Sequence, residues 1–495
     1  MAPDQEEDIK QQLHIVMFPW LAFGHLIPFL EISKCLAQKG HRISFISTPR
    51  NLQRLPKIPP NLSHPHLLNF VSLPLPQVDN LPAQAEATID LPLDQVPYLK
   101  KAYDALEGPL SNFLIQTSCT PDWIIYDFAP HWLPSMASKL GVPCVFLSLF
   151  NASFNAFIGH PSEAGILGMK PDQFGVPPDW IPFPSNLAFR KHEILKISSN
   201  IGENVSGVTD VFRVVNAVQG CDFVAIRSSM EFESEWFNLL EKKLFQKPVL
   251  PVGLLPPPPS VLQGHDQEQY IKNEEWVMRI SEWLDKQGKG SVVYVALGTE
   301  ATLSREELAE LALGLELSEL AFFWVLRRPA GSTTEDPTDL LPVGFQDRTR
   351  GRGFMCMGWA PQTKILGHPS VGCFLTHCGW GSTIEGLVSG CPLVLLPLIN
   401  DQALIARLLV WKKMGLEIER DEEDGSFTRE SVAKSLRTVM VDAEGAETYR
   451  AKARELREVF GDKVRNDRYL DDFVSYLKER KRVLGSTGRS TGSTI

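Results

Sequence analysis

The stretch VGCFLTHCGWGSTIEGLVSGCPLVLLP, residues 371–397, holds the pattern on which the fold turns. An apolar run of strand length, VGCFLTH, leads into a glycine-rich loop, HCGWGS. A helical stretch from Ser382 to Ser389 follows, and a second apolar run, CPLVLLP, closes the unit. Short continuous apolar strands alternating with helices predict a parallel sheet covered on both faces. The alternation extends upstream through SVVYVALG (291–298), a helix from Ser304, FFWVLR (322–327) and FMCMGW (354–359). Ser304 followed by Glu307 fits a capping box at the start of that helix.

The first half repeats the arrangement. HIVMFPW (14–20), RISFIST (42–48), LLNFVSL (67–73), DWIIYDF (122–128) and VPCVFLSLF (142–150) alternate with helical patterns, among them a long amphipathic stretch near 95–117. Residues 151–220 are less regular and rich in Pro, Phe and Asn, as expected of insertions over a binding cleft. The run PPPP at 256–259 fits neither a helix nor a central strand. The expected organisation is α/β: two doubly wound, Rossmann-like domains, at 1–250 and 271–463, joined by a Pro-rich linker at 251–270. An amphipathic helix at 464–484 and a low-complexity, disordered tail at 485–495 complete it. Ligands of such sheets sit beyond the C-terminal strand ends, so two of them facing each other would enclose a cleft.

Composition narrows the function. The chain has 495 residues, 43% of them hydrophobic and 22% charged, as in a globular protein. A formal net charge of −10 argues against a nucleic-acid binder. No apolar run reaches the ~18 residues of a membrane span. The start, MAPDQEEDIKQQ, lacks the basic-then-apolar pattern of a secretory signal. Eight scattered Cys with no C-x-x-C pair read as reduced thiols. A cytoplasmic location is therefore expected.

The loop HCGWGS lies between a strand end and a helix start, where unpaired backbone N–H groups favour an anion. Gly379 and Gly381 let the backbone approach a phosphate closely. His377 and Ser382 add donors, and Glu385, one turn on, suits the two hydroxyls of a ribose. Ser382 and Glu385 also fit a plain capping box, so on this fragment alone both readings stand.

A second pair of residues bears on chemistry. Activating a hydroxyl near neutral pH calls for a general base, most often His. His25 follows the first strand and the short loop PWLAFGH, ahead of a helix with Pro28 in its first turn. Asp127 ends the strand DWIIYD. Both fall at C-terminal strand ends, where a carboxylate behind an imidazole fixes its tautomer. A packed or surface His and a helix N-cap Asp are the structural alternatives.

The block WAPQTKILGHPSVGCFLTHCGWGSTIEGLVSGCPLVLLPLINDQ, residues 359–402, resembles the signature of plant UDP-dependent glycosyltransferases of family 1, which have the GT-B fold. FPWLAFGHLIPFL, ISFISTPRN, DWIIYDF, SVVYVALGTEA and NDQALIARLL are similar to the branch that adds a sugar to glycoside acceptors. The resemblance implies that Trp359 stacks on the uracil and that the backbone of Ala360 bonds its edge. Gln362 and Glu385 would hold the ribose, and His377, Ser382 and the backbone near Thr299 the pyrophosphate. Trp380, Asp401 and Gln402 would meet the sugar hydroxyls. His25 and Asp127 match the family's catalytic dyad, and the final helix would cross back onto the N-terminal domain. One position departs: the family usually has Asn where this chain has Gly381, which removes a side-chain donor to a phosphate and leaves room for an altered donor preference.

The expected activity is an inverting, metal-independent transfer of a sugar, glucose first, from a UDP-sugar co-substrate to a small flavonoid, terpenoid or steroid glycoside, with no other cofactor. The absence of a D-x-D motif after a strand supports the metal-independent reading. UDP-rhamnose as donor and an aglycone as acceptor are the alternatives. A nucleotide-sugar isomerase or hydrolase on the same fold is a more distant one, and a non-catalytic UDP-sugar-binding module has no need of both His25 and Asp127. PWLAFGH is not G-x-G-x-x-G, which disfavours a nicotinamide enzyme. Trp20, Phe23 and Phe150 are candidate acceptor contacts. FRKHE (189–193) reads as a solvated charged face, or else as a contact for a polar acceptor.

Overall fold

Thirteen short strands, the central ones buried and the edge ones partly exposed, build two parallel sheets in a computed structural model that describes residues 12–58, 65–117, 120–162, 164–202, 204–256, 267–300, 303–326, 337–358 and 360–487. The first sheet contains β1 (His14–Phe18), β2 (Arg42–Ser47), β3 (Leu68–Ser72), β4 (Trp123–Tyr126), β5 (Cys144–Ser148), β6 (Phe223–Ile226) and β7 (Val249–Pro251), in the order β3-β2-β1-β4-β5-β6-β7. The second contains β8 (Val292–Ala296), β9 (Ala321–Leu326), β10 (Gly353–Met357), β11 (Val371–Thr376), β12 (Leu393–Leu395) and β13 (Gly415–Glu417), in the order β10-β9-β8-β11-β12-β13.

The period of two explains the burial. In the first unit Ile15 and Met17, Trp123 and Ile125, and Val145 and Leu147 point into one core. Leu26, Phe29, Leu30, Ile32 and Leu36 of the Phe23–Gln38 helix cover them, each fully buried side chain contributing about 1.5–3 kcal/mol. Leu470, Phe473, Val474 and Leu477 of the final Lys463–Thr487 helix enter the same core, and Trp123 Nε1 donates to the Leu477 carbonyl at 3.2 Å. In the second unit Val293, Val295, Phe322, Trp324, Cys373 and Leu375 pack against Leu308, Leu311 and Leu315 of the Arg305–Ser318 helix. That helix starts on the predicted cap: Glu307 N donates to Ser304 Oγ at 3.1 Å, and Ser304 N to Glu307 Oε2 at 2.9 Å.

Strand order reverses beside β1 in one sheet and beside β8 in the other. β1 lies next to β4, and β8 next to β11. These switch points are where the C-terminal strand ends part and leave a crevice. His25 and Asp127 follow β1 and β4, while Thr299 and the HCGWGS loop follow β8 and β11.

Several boundaries differ from the sequence reading. The described residues of Met1–Gly168, Ile201–Leu255 and Lys463–Ile495 form one unit, and those of Met169–Asn200 and Pro256–Asp462 the other. Residues 169–200, placed by sequence in the first domain, make their contacts in the second. Asn186 Nδ2 donates to the Arg407 carbonyl at 2.9 Å, Glu193 pairs with Arg407 at 2.9 Å, and Arg190 with Glu417 at 3.2 Å. FRKHE is accordingly no solvated face: His192 and Glu193 are buried. Of the expected linker, 251–255 stays with the first unit, Pro256 falls to the second, 257–266 lies outside the described residues, and 267–270 opens the Gln267–Asp285 helix. Residues 485–487 of the expected tail continue the final helix, and 488–495 lie outside the described residues. The 95–117 pattern divides into helices Val96–Asp104 and Glu107–Gln116. Pro28 sits inside the Phe23–Gln38 helix, beyond its first turn. No helix among the described residues is long and apolar enough to cross a membrane.

A buried ion pair supports the loop after β4. Arg213 is 0% exposed, meets Asp104 through Nη1 at 2.7 Å and Nη2 at 2.5 Å, and donates to the Ala129 carbonyl at 2.7 Å. Ala129 lies two residues past Asp127. Arg213→Met strands both acceptors, and the expected loss is on the order of 3 kcal/mol, read as a lower urea midpoint.

Candidate functional site

The first centre is built on the switch point of the first sheet. His25 stands in the opening turn of the Phe23–Gln38 helix, and its Nδ1 lies 2.6 Å from Asp127 Oδ2. Asp127 is 1% exposed, and no helix begins there, so it is not an N-cap. Its Oδ2 also accepts the Trp20 amide at 3.1 Å, and its Oδ1 the Phe128 amide at 2.7 Å. An ionised carboxylate only accepts, so the imidazole shares its Nδ1 proton with Asp127 and turns Nε2 outward as a proton acceptor. The His25 side chain is 16% exposed, enough for a substrate hydroxyl to reach it.

Aromatic rings line this imidazole. The Phe128 centroid is 5.6 Å from it and the Phe150 centroid 6.0 Å, and Phe154 packs on Phe150 at 4.5 Å. Phe23 and Phe150 are half-buried. Trp20 is different: it is 3% exposed and packed edge-on against Tyr103 at 5.2 Å. Its backbone N–H holds Asp127, and its ring is packed against Tyr103 and Phe128. Phe128 and Phe154 escaped the sequence reading, although Phe128 is the residue directly after the strand-ending Asp.

The second centre follows β8 and β11. The helix after the glycine-rich loop runs Trp380–Val388 with Gly379 as its N-cap, two residues earlier than predicted. Ser382 is thus inside the helix, and the capping-box reading of Ser382 and Glu385 fails. Both instead meet Gln362, whose Nε2 donates to Glu385 Oε2 at 2.7 Å and to Ser382 Oγ at 3.2 Å. Tyr294 on β8 donates its hydroxyl to Gln362 Oε1 at 3.2 Å and stacks on Phe374 at 5.2 Å. Tyr294 was not anticipated, since it reads as one more buried strand residue.

His377 is gripped between two glycines. A Cβ on Gly298 would stand 2.5 Å from its Nε2, and one on Gly379 2.6 Å. Gly298 has φ of +77°, where glycine carries no steric penalty. Cys378 turns the chain at φ of 68° and sends the next amides toward the helix start. Trp380 is buried with its ring against Phe460 at 6.3 Å. Gly381, in the first helical turn, presents only backbone.

Gln362, Ser382 and Glu385 are therefore brought together, while Asp401 and Gln402 stand on another loop. Gln402 is buried, and its Oε1 accepts the amides of Leu398 and Ile399, each at 3.0 Å. Its amide nitrogen is the part left to meet a ligand. Asp401 occupies the N-cap position of the Gln402–Trp411 helix. Thr299 is exposed directly after Gly298, and the Ala360 carbonyl accepts the Gln362 amide at 2.9 Å. Trp359 lies outside the described residues.

Comparison with known proteins agrees with this geometry. The family model described as UDP-glucoronosyl and UDP-glucosyl transferase matches residues 268–467. The chain is 49% identical to UDP-glycosyltransferase 91C1 of Arabidopsis thaliana over 96% of this chain and 98% of that protein. It is 40% identical to soyasaponin III rhamnosyltransferase of Glycine max, over 94% of this chain and 96% of that one. Among solved structures, Phytolacca americana UGT2 complexed with UDP-2fluoro-glucose and pterostilbene superposes with a TM-score of 0.66 at 26% identity, covering 94% of this chain and 99% of that one. Two parallel α/β units, a glycine-rich loop at a helix start and full-length identity to named enzymes converge on one conclusion: the chain belongs to the plant UDP-glycosyltransferase family and is a UDP-sugar-dependent glycosyltransferase of the GT-B fold that acts on small molecules.

Proposed function

We propose that this enzyme transfers glucose from UDP-glucose to a hydroxyl of a small glycoside of the flavonoid, terpenoid or steroid class, with inversion and without a metal. The observation that carries the mechanism is the His25–Asp127 contact of 2.6 Å. The acceptor O–H gives its proton to His25 Nε2, and its oxygen attacks the anomeric carbon from the side opposite UDP. The bond from that carbon to the diphosphate oxygen breaks, so an α-linked donor yields a β-linked product and UDP leaves. Asp127 steadies the imidazolium as it forms. The amides at the start of the Trp380–Val388 helix, with Ser382 and His377, take up charge on the leaving diphosphate. Gln362 and Glu385 hold the ribose, Thr299 the phosphates through its backbone, and Trp359 with the Ala360 backbone the uracil. Asp401 and Gln402 meet the sugar, and Phe23, Phe128 and Phe150 flank the acceptor.

Glucose is favoured by Gln402 following Asp401. Rhamnose is the second reading, supported by the 40% identity to a rhamnosyltransferase and by Gly381 in place of the usual Asn. The test is UDP release with mass detection of products, offering four donors (UDP-glucose, UDP-rhamnose, UDP-xylose and UDP-galactose) to matched aglycone and glucoside panels. Transfer to glucosides, unchanged by EDTA, is the expected result. Transfer to aglycones alone rejects the glycoside acceptor, dependence on a metal rejects the metal-free step, and UDP release without any acceptor points to a hydrolase.

The grip on His377 gives a further expectation. Gly298→Ala adds a Cβ in the left-handed region, at a cost of about 1–2 kcal/mol, and displaces the imidazole. UDP titration calorimetry is expected to show roughly tenfold weaker binding, the equivalent of one lost charge-assisted hydrogen bond.

A further inference from the structure

Apart from both centres, the second unit holds a small cavity of about 20 Å³ lined by His192, Glu193, Lys196, Asn400 and Arg420 and by residues 397–399. Arg420 is 7% exposed and His192 is 3% exposed. Neither Nε nor Nη2 of Arg420 has a hydrogen-bond partner, and neither ring nitrogen of His192 has one. The remaining Arg420 contacts are Nη1 to the Gly425 carbonyl at 3.2 Å and the guanidinium over the Phe427 ring at 5.3 Å. Buried donors of this kind are rarely left unmet.

The neighbouring carboxylates are paired with other cations, although Glu417 Oε1 has no hydrogen bond. Glu193 accepts Arg407 Nη2 at 2.9 and 3.0 Å and the Arg190 amide at 2.7 Å. Glu417 is held by Arg407 Nη1 and, at 3.2 Å, by Arg190 Nη1. The nearest carboxylate oxygen to His192 Nε2 is Glu193 Oε1 at 3.9 Å, beyond hydrogen-bond reach. Arg420 thus has no carboxylate in direct contact, although the charges of Glu307, Glu417 and Glu193 act on it from farther off, and it borders a space sized for one small guest. Gly425, at φ of +75°, is pressed so closely on His192 that a Cβ would stand 2.4 Å from the ring, which holds that wall in place.

We infer that this cavity is a binding site for a single halide-sized inorganic anion. The guanidinium edge of Arg420, one N–H of His192 and the side chains of Lys196 and Asn400 supply its donors. Such an anion fastens residues 191–197, which arrive from the first half of the sequence, to the 397–400 loop that leads into Asp401 and Gln402. A water fits the space and satisfies donors but brings no charge to the guanidinium.

The test uses the whole enzyme and no substrate. Crystals soaked in bromide are expected to show an anomalous peak within the cavity. Thermal melts at constant ionic strength are expected to rise by roughly 3 °C when chloride replaces gluconate, which is too large to enter. Arg420→Gln is expected to lose both signals. His192→Phe, which keeps the apolar wall, serves where that variant fails to fold and is expected to weaken the chloride effect. No bromide peak, or melts that follow ionic strength alone in wild type, overturns the assignment in favour of water.

Discussion

His25→Ala is expected to lower sugar transfer about 10²–10⁴-fold while leaving UDP affinity unchanged. The reason lies in how the two centres are built. His25 belongs to the first unit, and its Nδ1 hydrogen-bonds Asp127, in the same unit. The proposed UDP contacts at Gln362, His377, Ser382 and Glu385 all belong to the second. Removing the imidazole takes away the proposed proton acceptor and touches none of the proposed UDP contacts. Ala is a good helix former at this position, and the side chain it replaces is partly exposed, so the fold survives the change. Single-turnover rates and UDP calorimetry on the same preparation separate the two effects. A parallel loss of UDP binding, or a rate within about tenfold of wild type, would reject His25 as the base.

Much of this was legible in the sequence, and the exceptions share a cause. Strands such as HIVMF and VGCFLT declare themselves because a buried parallel strand needs only a short apolar run. The positions of His25 and Asp127 follow from strand ends, which local pattern also gives. What local pattern cannot give is partnership across long separations. Glu193 meets Arg407 across 214 residues, so FRKHE looks solvated until the fold pairs it. Ser382 and Glu385 have the spacing of a capping box, but helix onset at Trp380 frees both for Gln362, 20 and 23 residues upstream. Gln402 offers a polyol-binding amide on paper, and the structure commits its oxygen to two backbone amides. Tyr294 and Phe128 were hidden for another reason: an aromatic residue in or beside an apolar strand reads as core, and only the fold shows which of them borders a site.

Asp127→Asn is expected to lower transfer by about 10³–10⁴-fold, on the scale of the corresponding change in a Ser-His-Asp triad, with the fold retained. Asp127 receives three N–H donors, from Trp20, Phe128 and His25. A carboxylate accommodates all of them. An amide has one accepting atom and one donating group. The Phe128 amide at 2.7 Å meets Oδ1, whereas the Trp20 amide at 3.1 Å shares Oδ2 with His25, so an amide oxygen kept on the shorter backbone contact puts the NH₂ group at the Oδ2 position, facing His25, and leaves the Trp20 amide without its acceptor. The imidazole then accepts at Nδ1 and carries its proton on Nε2, the atom that must take the acceptor's proton. The base is present but in the wrong tautomer, and the imidazolium of the transition state has lost its counter-charge. Turnover number, and not the KM for UDP-sugar, is expected to fall, because none of the proposed UDP contacts changes. Nitrogen-15 chemical shifts of His25 are expected to move the proton from Nδ1 to Nε2, a signature that mere loosening of the loop does not produce. An unchanged tautomer together with a loss below about tenfold would mean that Asp127 serves the packing of the Trp20–Phe128 loops and not the chemistry.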